Sequence, residues 1–83
     1  MNNYKLTDKF TIFYFGDANS TTYKATTTTL KTLKAWKEKG DKKLRDIAAV
    51  LEGTHRDITS FQWEDYMETN KDKIVNLRSI LNS

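Results

Sequence analysis

The chain has 83 residues, a formal net charge of +3 and no cysteine. A chain of this length has a thin core, so we expect residues 1–83 to form a single domain without a deep cofactor cleft. The lack of cysteine excludes disulfides and thiolate metal sites and favours a reducing compartment such as the cytoplasm. The first residues lack the pattern of a signal peptide, and no apolar run is long enough to span a bilayer, so we expect no membrane insertion.

The most strand-like segment runs from Lys9 to Phe15 and is rich in aromatic and β-branched residues. Alternation along a strand divides its apolar side chains between two faces, with Phe10, Ile12 and Tyr14 on one and Phe13 and Phe15 on the other. Since both faces are apolar, we expect a strand that is central or covered on both sides, and a homodimer is one way to cover the second face. Turn residues at Gly16–Ser20 and a second strand at Thr21–Thr26 complete a predicted β-hairpin.

Two helices with a very short connection are predicted to follow the hairpin. Leu30, Leu33 and Trp36 recur at helical spacing after a run of threonines, one of which, at 27–29, can cap the helix. Gly40 stands where a left-handed residue ends such a helix. The second helix is expected over Asp41–Glu52, where apolar residues follow the i, i+3, i+4, i+7 pattern at Leu44, Ile47, Ala48 and Leu51. The pair is similar to a helix-turn-helix unit.

The last third of the chain predicts one more strand and one more helix. Ile58–Trp63 is the candidate strand. Thr69 or Asn70 is expected to cap a final helix whose apolar stripe contains Ile74, Leu77 and Leu81. The expected fold is a small α+β domain with the element order ββααβα and a three-stranded antiparallel sheet packed against the helices.

The aromatic side chains Trp36, Phe61 and Trp63 have two interpretations. Exposed aromatic rings can stack on nucleic-acid bases. At helical or alternating spacing, however, such residues more often belong to the core, and we expect all three there.

Charge is distributed unevenly along the chain. Lys24–Arg45 holds eight basic and two acidic residues, whereas Asp46–Ser83 holds four basic and seven acidic residues. A basic surface on two consecutive helices could neutralise phosphates or an acidic partner, although both charged stretches are also compatible with ordinary solvated helix faces. The candidate contact residues of the basic surface are Lys34, Lys37, Lys42, Lys43, Arg45, His55 and Arg56.

Motifs for catalysis are missing from the sequence. His55 is the single histidine and lies in a polar turn, no serine or threonine lies in a nucleophile elbow, and the three glycines do not form a phosphate-binding loop. Carboxylates that follow the predicted third strand look solvated rather than paired for acid–base chemistry. We therefore expect a non-catalytic protein that uses neither a metal nor a cofactor.

In the segment 44–63, Gly53 is followed by a basic turn with Arg56, and Phe61 stands two positions before Trp63. This pattern resembles that of the small modular DNA-binding domains appended to phage and intron homing endonucleases. In that family a helix ends at a glycine, a basic turn follows, and a strand carries an aromatic residue two positions before a tryptophan. No nuclease motif accompanies the segment, so the resemblance implies DNA binding without cutting. The matching positions are Ile47, Leu51, Gly53, Arg56, Phe61 and Trp63.

Two functions remain open from the sequence. The chain could bind nucleic acid with little sequence preference, with helix Asp41–Glu52 approaching a groove. Alternatively, its Asn-, Thr- and Lys-rich composition resembles that of small early bacteriophage proteins, which are often inhibitors or regulators that block one host protein in the host cytoplasm. Such an inhibitor could use the basic surface, or it could mimic phosphates with an acidic surface of Glu64, Asp65, Glu68 and Asp72.

Overall fold

A computed structural model of the chain describes residues 4–15 and 21–82. The predicted turn at Gly16–Ser20 lies outside the described residues. In chain order the strands and helices are β1 (Lys9–Tyr14), β2 (Thr22–Thr29), α1 (Leu30–Lys39), β3 (Ile47–Glu52), β4 (Ile58–Thr59), α2 (Ser60–Thr69) and α3 (Leu77–Leu81). Two short 3₁₀ turns, Lys42–Leu44 and Lys71–Lys73, precede β3 and α3.

The strands form one antiparallel sheet in the order β3-β1-β2-β4. Ile12 in β1 lies opposite Thr26 on one side and Val50 on the other. The predicted α+β class, the β1–β2 pairing and the central position of β1 are confirmed. The expected three-stranded sheet and the order ββααβα are wrong, because the segment predicted as a second helix supplies a fourth strand.

One face of the sheet is covered by α1 and α3. Phe10 and Ile12 of β1 and Val50 of β3 are buried there. They pack with helical side chains that are equally buried, namely Leu30 and Leu33 of α1 and Ile80 of α3. The three segments therefore share one hydrophobic core.

The other face of the sheet is covered by α2. Phe13 of β1 and Leu51 of β3 are buried on this face, because side chains alternate along a strand. The half-buried residues Trp63, Tyr66 and Met67 of α2 pack against them. Since helices of the same chain cover both faces of β1, the reason given for a dimer, an uncovered apolar face, does not hold.

Helix α1 begins and ends as predicted. Thr29 is the N-cap, and its side chain accepts a hydrogen bond from the backbone N–H of Thr32. Gly40 ends the helix at φ 65°, in the left-handed region. Lys37 and Lys39 lie in the last turn, where cations complement the helix dipole.

The predicted second helix over Asp41–Glu52 is wrong. Asp41 does act as a cap and accepts from the N–H of Lys43, but the turn that follows is a 3₁₀ turn of three residues. Asp46 then adopts a left-handed φ of 57°, and β3 begins at the next residue. Val50 and Leu51, adjacent in sequence, are buried on opposite faces of the sheet, which a strand allows and an amphipathic helix does not.

The other two predicted elements are displaced along the chain. The candidate strand Ile58–Trp63 keeps two strand residues and then becomes α2 at Ser60. The final helix exists, but Asn76 caps it rather than Thr69 or Asn70. Ile74, expected in its apolar stripe, instead forms an antiparallel bridge with Leu51 and shields the outer edge of β3.

Candidate functional site

The sheet separates two helices of opposite charge. Helix α1 contains four lysines and one glutamate, whereas α2 contains three carboxylates and no basic residue. The two helices pack on opposite faces of the sheet through separate hydrophobic clusters. The charge asymmetry along the sequence therefore places a basic helix and an acidic helix on opposite faces of the sheet.

The outward side of α2 combines carboxylates with an exposed aromatic ring. We call it the acidic face and define it by Phe61, Glu64, Asp65 and Glu68. These residues follow the i, i+3, i+4, i+7 spacing of one helix face, and all four are exposed. Phe61 leaves 90% of its surface in solvent. The expectation that Phe61 belongs to the core is therefore wrong, whereas Trp36 and Trp63 pack against the core as expected.

An aromatic stack fixes the orientation of α2. The rings of Trp63 and Tyr23 lie parallel, with centroids 3.7 Å apart and planes inclined by 12°. Phe15 packs edge-on against Tyr23 at 5.2 Å while 61% of its surface stays exposed. Trp63 and Phe61 are about 200° apart around a helix axis, so inserting Trp63 into the stack turns Phe61 outward.

The helix dipole does not account for the carboxylates of the acidic face. The helix dipole favours negative charge only near the first turn, and the first turn of α2 contains no acidic residue. Glu68 lies near the C-terminal end, where a negative charge is unfavourable. A residue choice that opposes local stability is a sign of a functional surface.

A shallow groove runs beside the acidic face. It has a volume of about 400 Å³ and is lined by Gln62, Asp65, Tyr66, Thr69 and Asn70. Asp65 is the charged residue of its lining. The Asp65 carboxylate could pair there with a basic side chain of a partner.

The acidic residues at the end of α2 are partly compensated. Glu68 forms an exposed ion pair of 3.3 Å with Lys71. Exposed pairs of this kind contribute little stability and are screened by salt, so Lys71 reduces but does not cancel the charge of the acidic face. Asp72, the fourth predicted acidic residue, is exposed in the turn after α2 between Lys71 and Lys73, so the negative charge of the acidic face ends with the helix.

Several of the predicted basic residues gather around the C-terminal end of α1. Lys42, Lys43 and Arg45 are exposed in the turn that follows the helix. The ammonium group of Lys43 lies 4.9 Å from the centre of the Trp36 ring, a cation–π contact. Lys37 donates a hydrogen bond of 3.1 Å to Asn82. Lys34 lies one turn before Lys37 on α1 and is half-buried.

The backbone of this basic turn is tied to the sheet by Tyr14. The Tyr14 hydroxyl donates a hydrogen bond to the backbone carbonyl of Lys43. Burial, together with the negative charge of Asp41, raises the pKa of Tyr14. The hydroxyl therefore stays protonated at neutral pH and can keep this donor role.

His55 and Arg56 lie on the other side of the sheet from α1. The His55 ring packs near Phe13 and Tyr66, on the α2 side. Its Nε2 bonds the backbone carbonyl of Glu52, which can only accept, so Nε2 carries a proton. Its Nδ1 pairs with the Tyr66 hydroxyl. Both ring nitrogens are occupied, so His55 anchors the turn after β3, and Arg56 is exposed in the same turn.

The buried hydroxyl of Thr11 completes the anchor of this turn. It donates to the Gly53 carbonyl at 2.7 Å and accepts from the His55 N–H at 3.0 Å. Thr27 lies within hydrogen-bond distance at 2.9 Å. Five of the seven predicted basic residues therefore lie on α1 and the turn after it, and the other two lie in the turn after β3, where His55 has a structural role.

Searches of family models, curated proteins and solved structures find no match to this chain. The resemblance of segment 44–63 to homing-endonuclease modules stays a prediction. In this segment Gly53 follows a strand rather than a helix, and Phe61 and Trp63 lie in α2. Within the described ranges, no three metal-binding side chains come together and no helix has the length and apolarity to cross a bilayer.

The sequence pattern grouped Glu64, Asp65 and Glu68, which lie together on α2, with Asp72, which lies in the next turn, and it missed the exposed Phe61 beside them. The signal was present, because Trp63, Tyr66 and Met67 recur at helical spacing and indicate a helix with Phe61 on its outer side. The alternating pair Phe61 and Trp63 favoured a strand instead, in which both would have shared one face.

Proposed function

We propose that this chain is a non-catalytic binding protein whose acidic face docks onto the basic, nucleic-acid-binding surface of another protein. The observation that carries the proposal is the exposure of Phe61 among three carboxylates on one helix face. Burying a phenylalanine side chain contributes about 2–3 kcal/mol to association. The surrounding carboxylates supply charge complementarity, which guides a basic partner to the same place.

The distribution of the cations favours docking through the acidic face over recognition of DNA by a helix. The helix that was expected to approach a DNA groove is replaced by a 3₁₀ turn and the strand β3. His55 uses both ring nitrogens inside the fold. What remains for nucleic acid among the described residues is a set of cations on α1 and on the turn after it, without a recognition helix beside them.

The composition adds a biological setting to the proposal. The resemblance to small bacteriophage proteins supports a phage- or mobile-element-encoded inhibitor or regulator that acts in the host cytoplasm. A face that imitates the negative charge of nucleic acid would block a host enzyme by occupying its nucleic-acid site. By competing with nucleic acid for that site, the protein would act as an anti-defence factor or help the phage to take over the host.

A capture experiment tests the proposal. The chain is immobilised and incubated with nuclease-treated bacterial lysate, and the retained proteins are identified by mass spectrometry and then eluted with duplex DNA. We expect a retained protein that DNA displaces and that is lost with Phe61→Ser or with Glu64→Gln/Asp65→Asn/Glu68→Gln. Failure of either variant to reduce capture contradicts the proposal.

Matched controls remove similar groups from the other side of the domain. Leu6 has 51% of its surface exposed and contacts the start of α1 through its backbone, so Leu6→Ser removes an exposed apolar side chain elsewhere. Glu38 is exposed on α1, so Glu38→Gln removes a carboxylate outside the acidic face. Both control variants are expected to retain the partner like the wild type.

A second candidate function rests on the lysines of α1 and the three cations that follow it. We infer that this positive side could contact phosphates without sequence preference, because flexible lysines act as point charges. Fluorescence anisotropy with a labelled DNA duplex at two salt concentrations tests it. Binding that weakens steeply with salt supports this function, and binding that is absent at low salt removes it.

A further inference from the structure

A groove lies on the opposite side of the molecule from the acidic face, between α1, β3 and α3. It has a volume of about 800 Å³. Pockets for small ligands span about 300–1,000 Å³ and are mostly apolar with a few polar groups that orient the ligand. The residues that line the groove are Lys37, Leu44, Ile47, Val50, Val75, Asn76, Leu77, Arg78, Leu81 and Asn82.

The groove exists because α3 is too short to complete its layer. The helix has five residues, of which only Ile80 is fully buried. The start of β3 therefore lacks a full helical cover, and Ile47 stays only half-buried. Val50, with 3% of its surface exposed, forms the floor.

The chemistry of the lining is divided between interior and rim. Six aliphatic side chains make up the walls and floor. The four polar residues are exposed, and two of them, Lys37 and Arg78, are cations. Among the described residues that line the groove, none is acidic. The groove thus pairs an apolar trough with a positively charged rim.

The rim cations can bind an anionic head group. Lys37 uses one of its donors on the side chain of Asn82, across the groove from α1 to the end of α3. An ammonium group has three donors, so others remain for a ligand. Arg78 offers a planar fork of donors that matches a carboxylate.

We propose that this groove binds a small aliphatic carboxylate, a medium-chain fatty acid, with its alkyl chain along the trough and its carboxylate at Lys37 and Arg78. A peptide is a poorer fit, because its backbone amides would need partners inside the trough, where the lining is aliphatic. A cationic or neutral amphiphile would not use the two rim cations. The proposal is independent of docking by the acidic face.

Isothermal titration calorimetry with sodium decanoate below its micelle concentration tests this proposal, with ¹H–¹⁵N NMR to locate the ligand. We expect saturable 1:1 binding that perturbs residues 44–50 and 75–82. Affinity should rise about fourfold for each methylene from hexanoate to decanoate, as expected for chain burial. Decan-1-ol and decyltrimethylammonium should bind at least tenfold more weakly.

Charge variants decide whether the rim recognises the carboxylate. Lys37→Gln/Arg78→Gln should weaken decanoate at least tenfold and leave decan-1-ol unchanged, whereas Lys31→Gln, an exposed α1 lysine outside the groove, should have no effect. Circular dichroism checks that the variants fold. Equal affinities for decanoate and decan-1-ol, no saturable decanoate binding, or perturbations outside the groove would overturn the proposal.

Discussion

Trp63 stacks on Tyr23 with ring centroids 3.7 Å apart, and this contact determines which side of α2 meets solvent. Trp63 also packs edge-on against the fully buried Phe13, at 5.4 Å between centroids. Trp63 therefore stabilises the fold, whereas Phe61 of the same helix projects into solvent. This division separates the effects of mutation on stability from the effects on binding.

Truncation of Phe61 and truncation of Phe13 are expected to change the free energy of unfolding by very different amounts. Because Phe61 is 90% exposed, Phe61→Ser should change the free energy of unfolding by less than about 0.5 kcal/mol. Phe13 is fully buried, so Phe13→Ala should lower it by about 3–5 kcal/mol. Urea denaturation followed by tryptophan fluorescence measures both, and a large loss for Phe61→Ser would mean that Phe61 supports the fold.

Thr11→Val tests the buried anchor of the turn after β3. The substitution keeps the side-chain shape but leaves the His55 N–H and the Gly53 carbonyl without their hydroxyl partner. We expect a loss of about 1–3 kcal/mol in the free energy of unfolding, since two partly buried backbone hydrogen bonds are lost. Thr26→Val on the exposed surface of β2 is the matched control and should change stability by less than about 0.5 kcal/mol. Equal effects would contradict the assigned role of Thr11.

The hydrogen bond of Tyr4 should make the stability of the fold depend on pH in the alkaline range. Its hydroxyl donates to the Glu52 carboxylate, and this bond, together with burial and the charge of Glu52, raises the pKa of Tyr4 to about 12. Because the pKa of Tyr4 is higher in the folded than in the unfolded state, its hydrogen bond contributes fully to the free energy of unfolding below pH 10, the ordinary tyrosine value. This contribution is lost as pH rises to about 12.

Comparing the wild type with Tyr4→Phe isolates this contribution. At neutral pH the variant should be less stable, because the hydrogen bond is absent. Between about pH 10 and pH 12 the wild type should lose stability more steeply than the variant, so the difference between them shrinks. Urea denaturation at several pH values measures how the free energy of unfolding of each protein changes with pH. Equal changes in the wild type and the variant would show that the Tyr4–Glu52 hydrogen bond is not lost in this range.

Substitutions of Gly40 test the left-handed backbone conformation that ends α1. Its φ of 65° is left-handed, and a Cβ added there would meet no atom within 4 Å. Any cost of Gly40→Ala is therefore conformational, and we expect about 1 kcal/mol. Gly40→Asn should cost less, because asparagine tolerates this region better than alanine. Thermal unfolding compares the two, and a more stable alanine variant would contradict the assigned conformation.

The sequence predicted those parts of the fold where local signals agree. β1 could be placed because its two apolar faces match its central position in the sheet, and α1 because a threonine cap and Gly40 bracket one apolar stripe. β3 was mistaken for a helix because a short apolar run buried on both faces has no unique period. Its pairing with β1, Val50 opposite Ile12, is a long-range contact that local spacing does not encode.

The candidate surfaces were predictable in composition but not in arrangement. The acidic residues of α2 are close in sequence, so Glu64, Asp65 and Glu68 could be grouped without a structure. The basic residues depend on how distant elements pack. His55 and Arg56 follow β3 to the α2 side of the sheet, and only the tertiary fold separates them from the lysines of α1.

The most direct test of the central claim maps the contact surface on the chain itself. The ¹⁵N-labelled protein is titrated with the partner recovered by capture, and backbone amide signals are followed by NMR. We predict that broadening and shifts concentrate at residues 61–68 and are abolished by Phe61→Ser. Perturbations concentrated at residues 31–45, with the signals of α2 unchanged, would contradict docking through the acidic face.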